Sequence, residues 1–166
     1  PYWDFNDGQL IDVIAYSTAD NAELFLNGKS LGKQTIDHKH GDTLHFAWIV
    51  PYEKGELKAV AYDENGNIIA EDIQRSFGNA AAIKLSADRT EILSGGRDLA
   101  FIEISAVDEN GTFAANARNY VKVGVSGSGR LMGLDNGDST DYEQYKTDTR
   151  RLFSGKLLAI VSSDNT

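Results

Sequence analysis

Ala22-Glu23-Leu24-Phe25-Leu26-Asn27-Gly28-Lys29-Ser30-Leu31-Gly32 is the stretch that decides the fold. An Asn-Gly pair between two short apolar runs is the signature of a two-residue hairpin turn, because both central residues of that turn need positive φ. The stretch therefore predicts two antiparallel strands. The same punctuation continues outward in both directions. The tetrad Asp-Glu-Asn-Gly occurs twice, at Asp63 to Gly66 after Leu57-Lys58-Ala59-Val60-Ala61-Tyr62 and at Asp108 to Gly111 after Phe101-Ile102-Glu103-Ile104-Ser105-Ala106-Val107. Each half of the chain thus carries a similar hairpin.

Apolar residues recur with period two almost throughout, and 2 prolines and 16 glycines separate many short runs. The pattern predicts an all-β chain without helices. Leu44, Phe46, Trp48 and Val50 alternate with His45, Ala47 and Ile49, and Val121, Val123 and Val125 alternate with Lys122 and Gly124, so each set is expected to face a core. The alternation breaks at Arg75-Ser76-Phe77-Gly78-Asn79, and a new strand is expected over Ala80-Ala81-Ala82-Ile83-Lys84-Leu85. The chain of 166 residues then divides near Gly78 into two tandem immunoglobulin-like β-sandwich domains, 1–77 with six or seven strands and 78–166 with about six. After Lys156 to Val161 the segment Ser162 to Thr166 reads as turn-like with no strand to follow. The second sandwich is expected to lack its last strand, which leaves an open edge for another chain to cover.

Composition excludes several classes. With 16 Lys plus Arg against 25 Asp plus Glu, a net charge of −9 and no basic run, neither nucleic acid nor an anionic membrane is a fitting partner. A chain that is 41% hydrophobic and 10% aromatic along its length has material for real cores. There is no cysteine, hence no disulfide scaffold and no thiolate metal site, and no apolar run long enough to span a membrane. A start at Pro1-Tyr2-Trp3, without Met or signal-like residues, predicts a fragment whose targeting sequence lies upstream.

Candidate sites stand beside simpler explanations. Trp3, Tyr52 and Tyr142 are the candidate carbohydrate contacts, since an aromatic face can lie on the apolar face of a sugar ring. Trp48 shares a face with Phe46 and Val50 and is expected in the core, whereas for Trp3, near a chain end, core and surface readings both stand. Asp135, Asp138, Asp141 and Glu143 are close in sequence, and a glycosidase needs two carboxyl groups roughly 5 to 9 Å apart. In a polar stretch, however, turn formation explains them without catalysis, and their spacing does not match a calcium loop. His38, His40 and His45 lack a completing ligand at zinc spacing and read as a solvated loop. Ser17 and Ser30 lie in no nucleophile elbow. Gly124, Gly127 and Gly129 read as bends in a β context. No catalytic residue, metal site or cofactor is expected.

These residues together resemble the C-terminal immunoglobulin-like domains of bacterial glycoside hydrolase family 2 enzymes of the β-galactosidase kind. The likeness rests on Pro1-Tyr2-Trp3, Val13 to Ser17 with Ala22 to Gly32, Phe46 to Tyr52 and Gly55 to Tyr62. In the second half it rests on Asp88-Arg89, Asp98 to Phe101, Val107-Asp108, Gly133 to Asp138 and Arg151 to Lys156. Tyr2 departs from it, since relatives often carry His there. The resemblance implies accessory domains without a catalyst, beside a (β/α)₈ barrel in the same chain whose two glutamates have no counterpart here. It further implies a parent that hydrolyses O-glycosidic bonds, retains configuration at a terminal β-galactoside, and works in the periplasm or outside the cell. Two other readings stay open: an independent carbohydrate-binding module and a surface adhesion array.

Overall fold

A computed structural model describes residues 2–41 and 43–164. The described chain is all-β, with strands β1 (Leu10–Ala15), β2 (Asn21–Leu26), β3 (Lys29–Thr35), β4 (Phe46–Pro51), β5 (Glu56–Tyr62) and β6 (Ile68–Arg75) in its first half. The second half holds β7 (Ala82–Ala87), β8 (Leu99–Val107), β9 (Tyr120–Lys122), β10 (Gly129–Asp135), β11 (Thr149–Arg151) and β12 (Lys156–Ser163). They form two compact units, Pro1–Ser76 and Phe77–Thr166.

In the first unit a four-stranded sheet in the order β3-β2-β5-β6 faces a two-stranded sheet, β1-β4. Asn27 and Gly28 have φ of 51° and 79° and close the β2–β3 hairpin as their pairing demands. Ala22, Leu24 and Leu26 point inward on β2 and meet Phe46, Trp48 and Val50 of β4 in one buried cluster. Complete burial of Leu24 contributes about 1.5–3 kcal/mol on transfer grounds. Ile11, Val13 and Ala15 lie directly opposite Val50, Trp48 and Phe46, so they share the inner face of β1-β4. The Gln34 carboxamide ties the two layers together, donating to Ala47 O at 2.6 Å and accepting from Ala47 N at 3.2 Å.

In the second unit the sheet order is β10-β12-β8-β7, and β9 pairs with β11 opposite it. Ile104, Leu134, Leu157, Ala159 and Leu152 form its core with Val121 and Phe77. Ser154 and Gly155, with φ of 48° and 76°, make a second two-residue turn, and Phe153 and Lys156 exchange both backbone bonds across it at 3.0 Å. Both Asp-Glu-Asn-Gly tetrads adopt one geometry. Asp63 Oδ1 accepts from Asn65 N and Asn67 N at 2.9 and 2.8 Å, and Asp108 Oδ1 accepts from Asn110 N and Thr112 N, both at 2.9 Å.

Four expectations change. Leu44 is 75% exposed because the strand begins at Phe46, two residues later. The run of valines is a strand only through Lys122, and Val123 and Val125 follow it half-buried. The strand expected from Ala80 begins at Ala82. Ser162 and Ser163 are not turn residues: they end β12, paired with Arg130 and Gly129 on one side, and Ser162 with Leu99 on the other. β12 is therefore an interior strand, and among the described residues the outer strands of its sheet are β7 and β10. Asn165 and Thr166 lie outside the described residues.

Candidate functional site

The acid-rich segment between β10 and β11 is a chain of side-chain-to-backbone turns. Asp135 Oδ1 accepts from Gly137 N at 3.0 Å, Asn136 Oδ1 from Asp138 N at 3.0 Å, Asp138 Oδ1 from Thr140 N at 3.0 Å and Asp141 Oδ1 from Glu143 N at 2.8 Å. Each acceptor reaches two residues ahead, the local geometry that makes Asp and Asn turn formers. The Thr140 hydroxyl also donates to Asp138 and holds that carboxyl below its usual range. The Glu143 N–H does the same for Asp141, helped by Asn136 and Arg150.

Arg150 organises this loop from below. It faces inward from β11 opposite Val121, and its side chain is 1% exposed beside that of Asp141 at 2%. Arg150 Nε lies 3.3 Å from Asp141 Oδ2 as a charge contact without hydrogen-bond geometry. Its Nη1 donates to Leu134 O at 3.1 Å, and the guanidinium sits 4.6 Å over the Tyr145 ring. Asn136 Nδ2 donates to Asp141 Oδ2 at 2.6 Å and to Arg151 O at 3.0 Å. Tyr120 OH donates to Glu143 Oε1 at 2.8 Å, which pushes the phenol pKa up. The arrangement holds carboxylates ionised and fixes a loop. A general acid needs the opposite environment, one that raises its pKa.

The candidate sugar contacts separate. Trp3 is 2% exposed, donates from Nε1 to Glu53 O at 3.0 Å, and packs at 5.1 Å on Tyr52 and 5.9 Å on Phe5. Tyr52 is itself buried, with its hydroxyl 3.0 Å from Ser76 Oγ. Both rings are spent on the interior of the first unit and offer no open stacking face. Trp48 is buried as well, stacked on Phe46 and donating to Gly32 O at 3.2 Å. Tyr142 is 98% exposed, in the loop that Arg150 anchors.

The histidines do not converge. His38 Nε2 bonds Ala19 O at 3.1 Å, His40 Nδ1 lies 2.5 Å from Asp37 Oδ2, and His45 packs against the Tyr16 ring. Among the described residues no group of three or more His, Cys, Asp or Glu is arranged to hold a metal ion. The sequence reading missed Arg150 and Asn136. The available signal was parity: Arg150 and Leu152, two residues apart, are both buried, and a charged residue at an inward position needs a buried carboxylate.

The family described as glycoside hydrolase family 2 C-terminal domain 5 matches residues 83–166, and a domain of unknown function, DUF4982, matches residues 8–70. The chain is 38% identical over 99% of its length to a protein of Bacteroides ovatus named β-galactosidase BoGH2A, of which it covers 19%. It is 31% identical over 94% of its length to a putative β-glucuronidase of Formosa agariphila, of which it covers 15%. Among solved structures, a glycosyl hydrolase family 2 member from Bacteroides cellulosilyticus superposes with a TM-score of 0.91 at 34% identity over 99% of this chain and 23% of that one. A β-glycosidase from Bacteroides vulgatus superposes with a TM-score of 0.92 at 31% identity over 100% of this chain and 21% of that one. The chain thus spans about a fifth of the length of the relatives it matches. It belongs to glycoside hydrolase family 2, as accessory β-sandwich domains from the C-terminal part of such an enzyme.

Proposed function

We propose that these two sandwiches are non-catalytic, and that they support a β-galactosidase-like parent whose (β/α)₈ barrel and other domains lie in the same polypeptide. The observation that carries the reading is the near-complete alignment of this chain with a small part of a β-galactosidase. A barrel takes about 250 residues and has no room here. On this reading the parent cleaves a terminal β-galactoside, or a close relative, with retention, and works in the periplasm or outside the cell. Among the described residues no helix is long and apolar enough to cross a membrane.

Two features support the accessory role. Asp138 and Asp141 are held ionised by hydrogen bonds, which suits loop architecture and not proton donation. Leu10, Ile14 and Ile49 lie exposed on the outer face of β1-β4, an apolar patch suited to a neighbouring domain. Within the same reading the second sandwich is completed by a further strand over the inner face of β7. There Ile83 and Leu85 are 52% and 65% exposed, although their cross-strand partners Ala106 and Ile104 are buried.

The test is enzymatic. The isolated chain is expected to release no p-nitrophenol from any aryl glycoside above the blank, and turnover by the chain alone would overturn the reading. One observation favours a second reading, a carbohydrate-binding module: Tyr142 is an open aromatic face. Calorimetric titration with galactans and glycosaminoglycan fragments separates the two, because saturable heat abolished by Tyr142→Ala belongs only to the second.

A further inference from the structure

The first unit carries a groove of about 790 Å³ along its open side. We propose that this groove is a strand acceptor, filled by an extended segment of the longer polypeptide that leads into Tyr2, antiparallel to β1 and parallel to β6. One wall is the inner face of β1, with Ile11 and Val13, the floor is Ala59 and Ala61 of β5, and the far wall is Ala70 and Asp72 of β6. Among the described residues β1 pairs only with β4 and β6 only with β5. Two rows of backbone N–H and C=O groups therefore flank the groove without strand partners, the condition that invites an added strand.

The side chains agree. Ile11 and Val13 share a face with buried Val50 and Trp48, yet they are only partly buried, because nothing covers them on the groove side. Alanines at 59, 61 and 70 leave room for larger apolar side chains arriving at every second position. The lining runs from Tyr2 and Trp3 to Tyr16 and Ser17, the full length of the six-residue β1, or about 20 Å at 3.3 Å per residue.

Direction follows from Trp3. It packs on Tyr52, whose N–H bonds Gln9 O at 2.7 Å beside the start of β1 and whose hydroxyl meets Ser76 beyond the end of β6. A segment entering Tyr2 along the groove must come from the Ala15 end. It then runs opposite to β1 and with β6. A sugar fits less well, since the β1 wall and the β5 floor are aliphatic, the polar side chains Asp72 and Gln74 lie along the β6 wall alone, and the exposed aromatic rings Tyr2 and Tyr16 stand at opposite ends.

The experiment compares this 166-residue chain with one extended by the eight residues that precede it in its own reading frame. The extension is expected to slow amide exchange in the β1 and β6 peptides at least tenfold and to raise Tm by several degrees. Ala70→Arg is expected to erase both gains while leaving the Tm of the shorter chain where it was. Unchanged exchange and Tm on extension would overturn the proposal, as would gains that survive Ala70→Arg. Protection at β1 and β6 that appears only with a galacto-oligosaccharide, or only with rising protein concentration, would assign the groove to a sugar or a second copy instead. The readout concerns the first unit alone and is blind to whether the parent cleaves galactosides.

Discussion

Gly55 stands against the carboxamide of Asn27: a Cβ at position 55 would overlap Asn27 Oδ1. The Asn27 side chain reaches across from the β2–β3 turn, accepting from Glu56 N at 2.8 Å and donating to Lys54 O at 3.2 Å. Gly55 also has φ of 142°, a conformation that residues with a Cβ rarely adopt. The hairpin turn and the entry to β5 are thus one construction, in which Asn27 both bends its own turn and caps its neighbour's.

Gly55→Ala should therefore cost about 2–4 kcal/mol, summing backbone strain and the displaced Asn27 bonds. In an Asn27→Gly background, which keeps the turn and removes the obstruction, the same change should cost about 1–2 kcal/mol. Urea unfolding of the four proteins gives the coupling. Strict additivity would show that the two residues do not act together.

What was legible in the sequence follows the range of the interactions. Asn27-Gly28 and the two Asp-Glu-Asn-Gly turns announce themselves because the residues that make the bonds are adjacent in the chain. The inward run Phe46, Trp48, Val50 was legible by period, but its limit was not: Leu44 continues the alternation and is exposed, since period cannot say where the opposite layer stops. Trp3 offered no periodic context, and its burial depends on Tyr52, distant in sequence. Arg150 was missed for the same reason, because Asp141 belongs to a stretch that reads as solvated turn.

Arg150→Ala should lower the urea midpoint of the second unit, because Asp141 loses its cation and Leu134 O loses its donor. The paired change Arg150→Met with Asp141→Asn, which keeps an acceptor for Glu143 N, should recover part of that loss, since neither charge then has to be desolvated. A double change at least as damaging as Arg150→Ala would show that the Leu134 and Tyr145 contacts, and not the charge pair, hold the site.

Acid should weaken the fold through its turn carboxylates. Asn67 lowers the pKa of Asp63, the Phe101 N–H that of Asp88, the Thr140 hydroxyl that of Asp138 and the Glu143 N–H that of Asp141. With folded values below the unfolded value of about 3.9, their contribution is nearly complete above about pH 5 and is lost as pH falls through 4 toward the folded values. Tm should hold steady from pH 6 to about 5 and then fall, and Asp138→Asn, which keeps the turn acceptor, should make the fall shallower. A Tm that rises on acidification from pH 5 to 3 would contradict this.

The repeated tetrad is unequal in weight. Asp63 is half-buried and its side-chain bonds stay within its own turn, whereas buried Asp108 also accepts from Gly78 N at 2.8 Å through Oδ2 and ties the start of the second unit to that turn. Asp108→Ala should cost about 1–2 kcal/mol, because three part-buried N–H groups lose the acceptor they share. Asp63→Ala should cost clearly less, and equal midpoints for the two variants in urea would refute the distinction.

Ile83 and Leu85 give the last test, on the completeness of the second sandwich. They share a face with buried Ala106 and Ile104 but remain half-open to water. In this chain Ile83→Thr and Leu85→Thr should change stability by no more than about 0.5 kcal/mol, as exposed substitutions do. In a protein extended through the natural residues that follow, each should cost about 1–3 kcal/mol, because a covering strand would turn the same side chains into core. The extension should itself raise Tm and quench binding of an apolar dye. If the substitutions cost the same in both lengths, β7 is complete as it stands and its open apolar face belongs to a different partner.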